Sequence, residues 1–593
     1  MACKEIRLQT LVLFGVLAMT LAVFAGVRGH EFVHYDDAAN IYDNPHVASL
    51  DGASLQWMFT DTDYARRYMP LGWLCYALSR QAFGLNPRAF HFMNLGWHLL
   101  NVVMLFFLVK TLVLRARNRL GDAGEDGVAI GCAGISALFW GIHPLRVEVV
   151  AWASAQIYGI VFLLVIVCIL AWLKAQTPGL SPWRRRAWHG LSVTAYAVSL
   201  LTYPLALFAP VALFALEVFP LRRAGLRWSD WFARRALPIW RDKVPFLAVT
   251  VCFLALVIVA RAVPDQRYRP VTLAEVGLFP RVMQAFYVWA YYVWKPWAPY
   301  DLAPVYPTLH AFHPLDAGFV VSATAVLGTT VVLFALRRRI PGLLVLWICH
   351  LVMLVPMLGL SEYPHCAADR YSYVQGILWS VGIAFLLRAL WERRERALLA
   401  GSVVAAASVI FAALAWQQVG VWRDSIPLYE RMVSRMGDHP SGSRWDEALG
   451  VHYLRAGMTN AALDRFTNAV ACEERRADRR IWDIGIEPRS HQRMGDIFIS
   501  MDKTSEAADH YRASLEARPT VTLVVLKYAT ALSRMDRDAE AIGPLQKALE
   551  REPGNPALHH QLALCLRKLG RNEEADSQLK EEQRLQGGKL AER

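Results

Sequence analysis

The stretch Gly29-His-Glu-Phe-Val-His-Tyr-Asp-Asp-Ala-Ala-Asn-Ile-Tyr-Asp-Asn-Pro45 sets two carboxylates, Asp36 and Asp37, side by side among aromatic residues, just after a hydrophobic run. Neighbouring carboxylates repel, so one of them tends to hold its proton more tightly, which suits a group that must pick one up. Two further polar turns stand at the ends of hydrophobic runs. Gly141-Ile-His-Pro-Leu-Arg-Val-Glu-Val-Val-Ala-Trp152 carries His143 and Glu148, and Cys366-Ala-Ala-Asp-Arg-Tyr-Ser-Tyr373 carries Arg370. Ionisable side chains at a membrane boundary mark functional sites by default, and a guanidinium can fork onto a phosphate. Taken singly, the same residues also fit plainer roles: a solvated acidic turn, an interfacial anchor, and a helix-end pair of Arg370 with Asp369.

Together they suit one class of reaction. A hydroxyl attacks the anomeric carbon of a sugar carried on a lipid phosphate. A carboxylate takes the hydroxyl proton, a cation holds the departing phosphate, and the pocket tolerates oxocarbenium character at carbon 1. Asp36 or Asp37 supplies the carboxylate and Arg370 the cation. The chain contains neither GxGxxG nor a Walker lysine motif, and such a reaction needs neither.

The elements that must position these residues are membrane helices. The 593 residues are 55% hydrophobic, with 21 Trp and a net charge of +13. Hydrophobic runs of about 18 or more residues recur up to about residue 417 and then stop. This pattern predicts an all-α chain: a polytopic bundle of about eleven spans over 1–417, then a soluble domain over 418–593. The expected spans are 8–27, 90–113, 127–143, 156–174, two meeting at Tyr203-Pro204 within 188–219, 244–261, 318–336, 340–360, 372–390 and 399–417. Proline at 204 removes a helix donor and separates the middle pair.

Arginine clusters at 115–119, 184–186, 222–235, 337–339 and 393–396 all fall on one side if the N-terminus is cytoplasmic. The segments 28–89, 144–155, 262–317 and 361–371 then share the outer face. Residues 281–297 are aromatic-rich and read as an interfacial or re-entrant helix. The nine cysteines are scattered singletons with no CxxC spacing, which implies neither a disulfide framework nor a metal site. The basic charge is explained by arginine in short loops, and no nucleic-acid-binding motif is present.

The C-terminal part repeats. Gly495, Ala529 and Ala563 are each 34 residues apart, as are Ala507, Ala541 and Ala575, and Pro519 and Pro553 keep the same step. A 34-residue period with small residues at fixed places is the tetratricopeptide (TPR) signature. Gly450 and Ala462 place a first repeat near 445–471, and an Arg/Glu-rich insertion at about 473–489 precedes the second. The array over 445–586 predicts a surface that binds a protein partner or acceptor.

In this order the motifs resemble membrane glycosyltransferases of the GT-C fold. More closely, they resemble the transmembrane-and-TPR-containing protein O-mannosyltransferases and their bacterial relatives. The resemblance rests on Phe32-Val-His-Tyr-Asp-Asp-Ala-Ala-Asn-Ile41, Gly84-Leu-Asn-Pro-Arg-Ala-Phe-His-Phe-Met-Asn94 with His98 and Asn101, His143-Pro-Leu-Arg-Val-Glu148, and Ala368-Asp-Arg-Tyr-Ser-Tyr373. It implies a polyprenyl-phosphate-linked sugar as donor, with mannose as one candidate, and membrane lipid as the medium. By the same pattern Asp36 or Asp37 is the catalytic carboxylate and Glu148 the second acidic position. Arg370, Arg67, His143 and Tyr371 are the candidates for the donor phosphate. No metal ligand set is implied, and a divalent metal stays open. The repeats would face the periplasm or lumen, and the absence of Asn-x-Ser/Thr sites leans to a bacterial inner membrane.

Three places depart from the pattern. A charged run after the second-turn Glu and Trp is replaced by Ala153-Ser-Ala-Gln-Ile-Tyr158. A Ser-Lys-Pro turn is replaced by Thr202-Tyr-Pro204, and a Tyr-Arg-Pro-Leu is replaced by Tyr68-Met-Pro-Leu71 with Arg66 and Arg67 just upstream. These losses define the alternative: a GT-C-fold TPR scaffold that assembles a membrane complex without catalysis. A transporter is a third option, disfavoured because transport sites sit near the bilayer midplane.

Overall fold

The computed structural model describes residues 2–62, 64, 67–120, 126–262, 272–309, 312–360, 367–391, 394–439, 442–474 and 489–591. Every regular element among them is helical. The chain forms two compact units, Met1–Arg435 and Met436–Arg593. Helix Ser425–Met436 therefore belongs almost wholly to the first unit, whereas the hydropathy boundary at 417/418 assigns it to the second.

Among the described residues of the first unit, seven helices are long and apolar enough to cross a membrane. They are Cys3–Gly29, Pro87–Ala116, Ala153–Ala175, Arg234–Ala260, Ala317–Ala335, Asp369–Leu390 and Leu399–Val421. Asp126–Gly141 and Pro144–Ala151 meet at a 62° bend and make an eighth if counted as one span. The protein is an integral membrane protein. The bend falls where Pro144 interrupts the helical hydrogen-bond ladder. Pro204–Val218 and Pro341–Met353 are shorter apolar helices, and Pro182–Thr202 opens on Arg184–Arg186. All eleven expected segments thus contain helix, although that over 340–360 is continuous only across Pro341–Met353, and eleven crossings are more than length and composition alone carry. Tyr203 is extended between two helical pieces, so the break at Pro204 forms where expected.

The unit is layered by burial. Ala153–Ala175 is central, with 72% of its apolar window inside the protein, against 11% for Leu399–Val421 and 17% for Ala317–Ala335. It packs on Pro87–Leu120 and Pro182–Thr202, while Asp126–Gly141 packs on Pro87–Leu120 and Ser372–Leu390. The outer helices present Val331, Val403 and Ile410 outward, as lipid-facing surfaces do. Leu278–Trp294 forms a helix of 17 residues whose polar groups turn inward. Arg281 donates to the Leu360 carbonyl at 3.0 Å and Gln284 to that of Leu358 at 2.9 Å.

One charged cluster ties helix ends together away from the polar turns. Lys243 and Glu217 pair at 2.7 Å with neither side chain exposed, and Lys243 also reaches Asp242 at 2.9 Å. Trp172 donates to Asp242 at 2.6 Å. Glu217 lies one residue from the end of its helix, so the pair clamps helix ends rather than a midplane site.

The described residues of the second unit form four helix pairs: Ser443–Arg455 with Thr459–Glu474, Ser490–Ser500 with Thr504–Ala517, Thr522–Arg534 with Asp538–Arg551, and Pro556–Lys568 with Asn572–Ala591. The small residues sit at the crossings. A Cβ on Gly450 would stand 2.7 Å from the Phe466 ring, and one on Gly495 would stand 2.6 Å from Tyr511. Ala507, Ala529, Ala541 and Ala575 are fully buried. Most of the expected insertion, 475–488, lies outside the described residues.

Candidate functional site

The two neighbouring aspartates point to different surroundings. A tight turn brings the Val33 N–H back onto Asp37, which begins a single wide turn over Ala38–Tyr42. Asp37 is fully buried and Asp36 half-buried. One oxygen of Asp37 accepts from the Ser154 N–H at 2.9 Å and from the Ser154 hydroxyl, and the other accepts from Val33 at 3.0 Å. Burial pushes the Asp37 carboxyl up to about 7, against the opposing pull of these three donors, with a smaller upward contribution from Asp36.

Ser154 is itself held from behind. Tyr76 donates to its carbonyl at 2.5 Å, Asn94 donates to that of Trp152 at 2.8 Å, and Ser79 meets Gln156 at 3.1 Å. Without charge, the 153–156 loop is completely buried and serves as a platform for the first outer loop. His98 and Asn101 build the next layer. His98 donates to the Gly141 carbonyl and accepts from the Tyr373 hydroxyl, while Asn101 donates to Gly159 and Tyr373. The motif around residues 84–101 thus acts by bracing the polar turns against one another.

Glu148 and Arg370 meet directly. One Glu148 oxygen accepts the Arg370 backbone N–H at 2.7 Å and the other pairs with its guanidinium at 2.6 Å. Glu148 is buried, while 16% of the Arg370 side chain is exposed. The guanidinium lies over Trp152 and Tyr371, with centroid distances of 5.6 and 5.0 Å. Asp369 accepts from the Tyr306 hydroxyl at 2.9 Å, with Glu148, Lys295 and Arg370 within electrostatic range. Arg67 is half-buried, and Tyr203, Asp36, Tyr158 and Tyr371 all lie close enough to act on its charge. Asp36 also acts on Glu148. Tyr158 and Tyr203 pack at 5.2 Å.

Asp36, Asp37, Arg67, Glu148, Arg370 and Tyr371 are therefore brought together. His143 is not among them: its Nε2 donates to the Pro296 carbonyl at 2.9 Å and its Nδ1 accepts from the Leu145 N–H at 3.2 Å. With both nitrogens engaged and no exposure, it fastens the bend and offers nothing to a phosphate. Arg66 and the turn residues 361–366 lie outside the described residues. Sequence reading missed Ser154 and Tyr76. The unusual uncharged run at 153–156 was the signal that something other than charge holds that turn. Among the described residues no group of three or more His, Cys, Asp or Glu is placed to hold a metal ion.

Comparison with known proteins adds to this geometry. A tetratricopeptide-repeat family model matches residues 545–576. In sequence the chain is similar to protein O-mannosyl-transferases. It is 28% identical over 159 residues to protein O-mannosyl-transferase TMTC1 of Homo sapiens, covering 25% of this chain and 16% of that protein. The Mus musculus protein of the same name is 27% identical over 172 residues, covering 27% and 16%. The chain thus matches about a sixth of the length of these curated relatives. Among solved structures, ArnT from Cupriavidus metallidurans bound to undecaprenyl phosphate aligns over 81% of this chain and 78% of that one, with 16% identity and a TM-score of 0.34. Its apo form aligns over 84% and 79% with a TM-score of 0.33.

Proposed function

We propose that this protein is a membrane glycosyltransferase that moves a sugar from a polyprenyl-phosphate donor to a hydroxyl of a protein or surface polymer. The observation that carries the reading is the meeting of Asp36, Arg67 and the Glu148–Arg370 pair, from segments up to 334 residues apart in sequence. Asp36, the accessible carboxylate, takes the acceptor proton as the oxygen bonds to the anomeric carbon. The bond from that carbon to the phosphate oxygen breaks, and its electron pair leaves with the polyprenyl phosphate. Arg370 and Arg67 receive the developing charge, Tyr371 lines the same place, and Glu148 holds Arg370 in position. Asp37 positions Asp36 by fixing the loop to Ser154. The N-terminus is then cytoplasmic, the repeats over 445–586 bind acceptor or partner on the periplasmic side, and the membrane is a bacterial inner membrane.

The test supplies polyprenyl-phosphate mannose to the full chain in lipid nanodiscs and reads release of polyprenyl phosphate. Asp36→Asn should slow release by about 10²–10⁴, with yield and melting unchanged. Undiminished release would overturn the assignment. A second reading, a non-catalytic scaffold, is favoured by one feature: Glu148 occupies both the backbone N–H and the guanidinium of Arg370. No release from the wild type with any lipid-linked sugar, together with stable capture of a partner by the repeats, would select it.

A further inference from the structure

A cavity of about 880 Å³ opens among the ends of helices Ala209–Val218, Ala317–Ala335 and Pro341–Met353, at the far end of the first of these from Tyr203. Its lining is unlike the carboxylate-bearing cluster described above. Six arginines contribute to it, against a single acid, Asp230. That acid is already paired with Arg235. Arg223 is committed to Glu217 at 3.3 Å and Gln176 at 2.5 Å, and Arg337 donates to the Phe334 carbonyl at 2.8 Å. The remaining three, Arg222, Arg227 and Arg338, are exposed and have no carboxylate partner among the described residues. Arg222 holds a φ of +50°, a conformation that non-glycine residues seldom adopt.

From these observations we infer that the cavity binds the phosphate head group of an anionic membrane phospholipid. Three unpaired guanidinium groups around one concavity repel one another unless an anion enters, and guanidinium is the side chain best matched to phosphate oxygens. The surroundings point to a lipid rather than a soluble anion. Phe334 lines the cavity with its ring 58% exposed, on the same helix end as the outward-facing Val331 and Val332. Trp240 and Leu237 are also exposed at the start of the neighbouring helix. A ligand there meets charge at head-group depth and hydrocarbon immediately beside it, as acidic lipids do at basic pockets between membrane helices. Selectivity follows from the same lining. With Asp230 taken by Arg235, no free carboxylate receives the ammonium of a zwitterionic head group, so phosphatidylglycerol fits where phosphatidylcholine does not.

The test is competitive lipid retention by the full chain. Delipidated protein in detergent is offered equal amounts of phosphatidylglycerol and phosphatidylcholine with identical acyl chains, and bound lipid is counted by native mass spectrometry. Each guanidinium near an anionic head group contributes roughly a factor of five, so the three together give a preference on the order of a hundredfold. In R222Q/R227Q/R338Q the preference should fall to within about twofold, and R338Q alone should lower it about fivefold. Equal retention of the two lipids by the wild type would overturn the proposal without any variant. So would an undiminished preference in either variant. A third arm adds inorganic phosphate at the concentration of the lipid. Complete displacement of phosphatidylglycerol would mark a soluble-anion site and refute the lipid assignment, while its retention supports it.

Discussion

Replacing Asp37 by Asn changes a buried charge without changing its shape, and its consequence is a change in how stability depends on pH. In the folded protein burial pushes the Asp37 carboxyl up to about 7 from the ordinary 3.8. The folded state therefore keeps the proton up to about pH 7, whereas the unfolded chain releases it near 3.8. The stability this group contributes is complete below the unfolded value and is lost as the pH rises through about 7. At 1.36 kcal/mol per unit the loss across this window is roughly 4 kcal/mol. Asparagine does not titrate, so D37N lacks this slope. It has a separate, pH-independent defect: its amide N–H₂ must face either the Val33 N–H or the two Ser154 donors, leaving a buried donor unmatched at about 1–3 kcal/mol. The variant should thus be less stable than the wild type near pH 4.5 and should close or reverse the gap by about pH 8. The assay is thermal unfolding of the full chain in nanodiscs, followed by tryptophan fluorescence across this range. Parallel melting profiles for the two proteins would refute the argument, because they would mean that Asp37 is ionised throughout, with its three donors outweighing burial.

Other substitutions test separate contacts. Glu148→Gln leaves the Arg370 guanidinium without its buried counter-charge and should destabilise by about 3–5 kcal/mol, seen as a lowered melting temperature, whereas an unchanged melt would show that the pair carries no stability. Lys243→Ala leaves the fully buried Glu217 with only its Arg223 pair at 3.3 Å and should lower stability by about 1–3 kcal/mol, with Glu217→Gln in the same chain restoring part of it. Tyr76→Phe removes only the hydroxyl that donates to Ser154 and should lower stability by about 1 kcal/mol, read in the same melt. Gly495→Ala forces a methyl towards the Tyr511 ring and should weaken the repeat unit by about 1–3 kcal/mol. Limited proteolysis should then cut first within 490–591, leaving the helices before Arg435 intact.

Those parts of the architecture that depend on long regular patterns were legible in the sequence. Hydrophobic runs located the membrane helices because lipid demands about 20 apolar residues per crossing. The 34-residue step located the repeats because Gly495 and Ala507 are small for a geometric reason that recurs in every unit. The extent of the first unit was less visible. Helix Ser425–Met436 is amphipathic rather than apolar, so hydropathy assigns it to the soluble part, yet its contacts are with the first outer loop. Within the site, Asp36, Asp37, Glu148 and Arg370 stood out because charge beside a membrane span is conspicuous. What spacing left hidden was which partner each had chosen. His143 has the same outward signs as Glu148, but its two nitrogens close on backbone groups from Leu145 and Pro296, a contact across about 150 residues that periodicity does not report. Ser154 carries no charge and attracts no notice, yet it makes two of the three hydrogen bonds to Asp37.

The contacts of that amphipathic helix govern where this chain can be severed. The Ser425 hydroxyl accepts the His34 N–H at 2.8 Å, the Tyr429 hydroxyl donates to the His34 carbonyl, and the Arg423 carbonyl accepts the Glu31 N–H at 2.8 Å. Arg431 and Arg435 both reach Asp301. A protease cut or stop codon near residue 417 would therefore do more than remove a repeat domain. It would strip three backbone supports from the loop that carries Asp36 and Asp37, loosening the site from a point hundreds of residues away in sequence. Ending the chain after Arg435 keeps all of these supports. A comparison of the two truncations separates what the repeats recruit from what their approach helix holds in place.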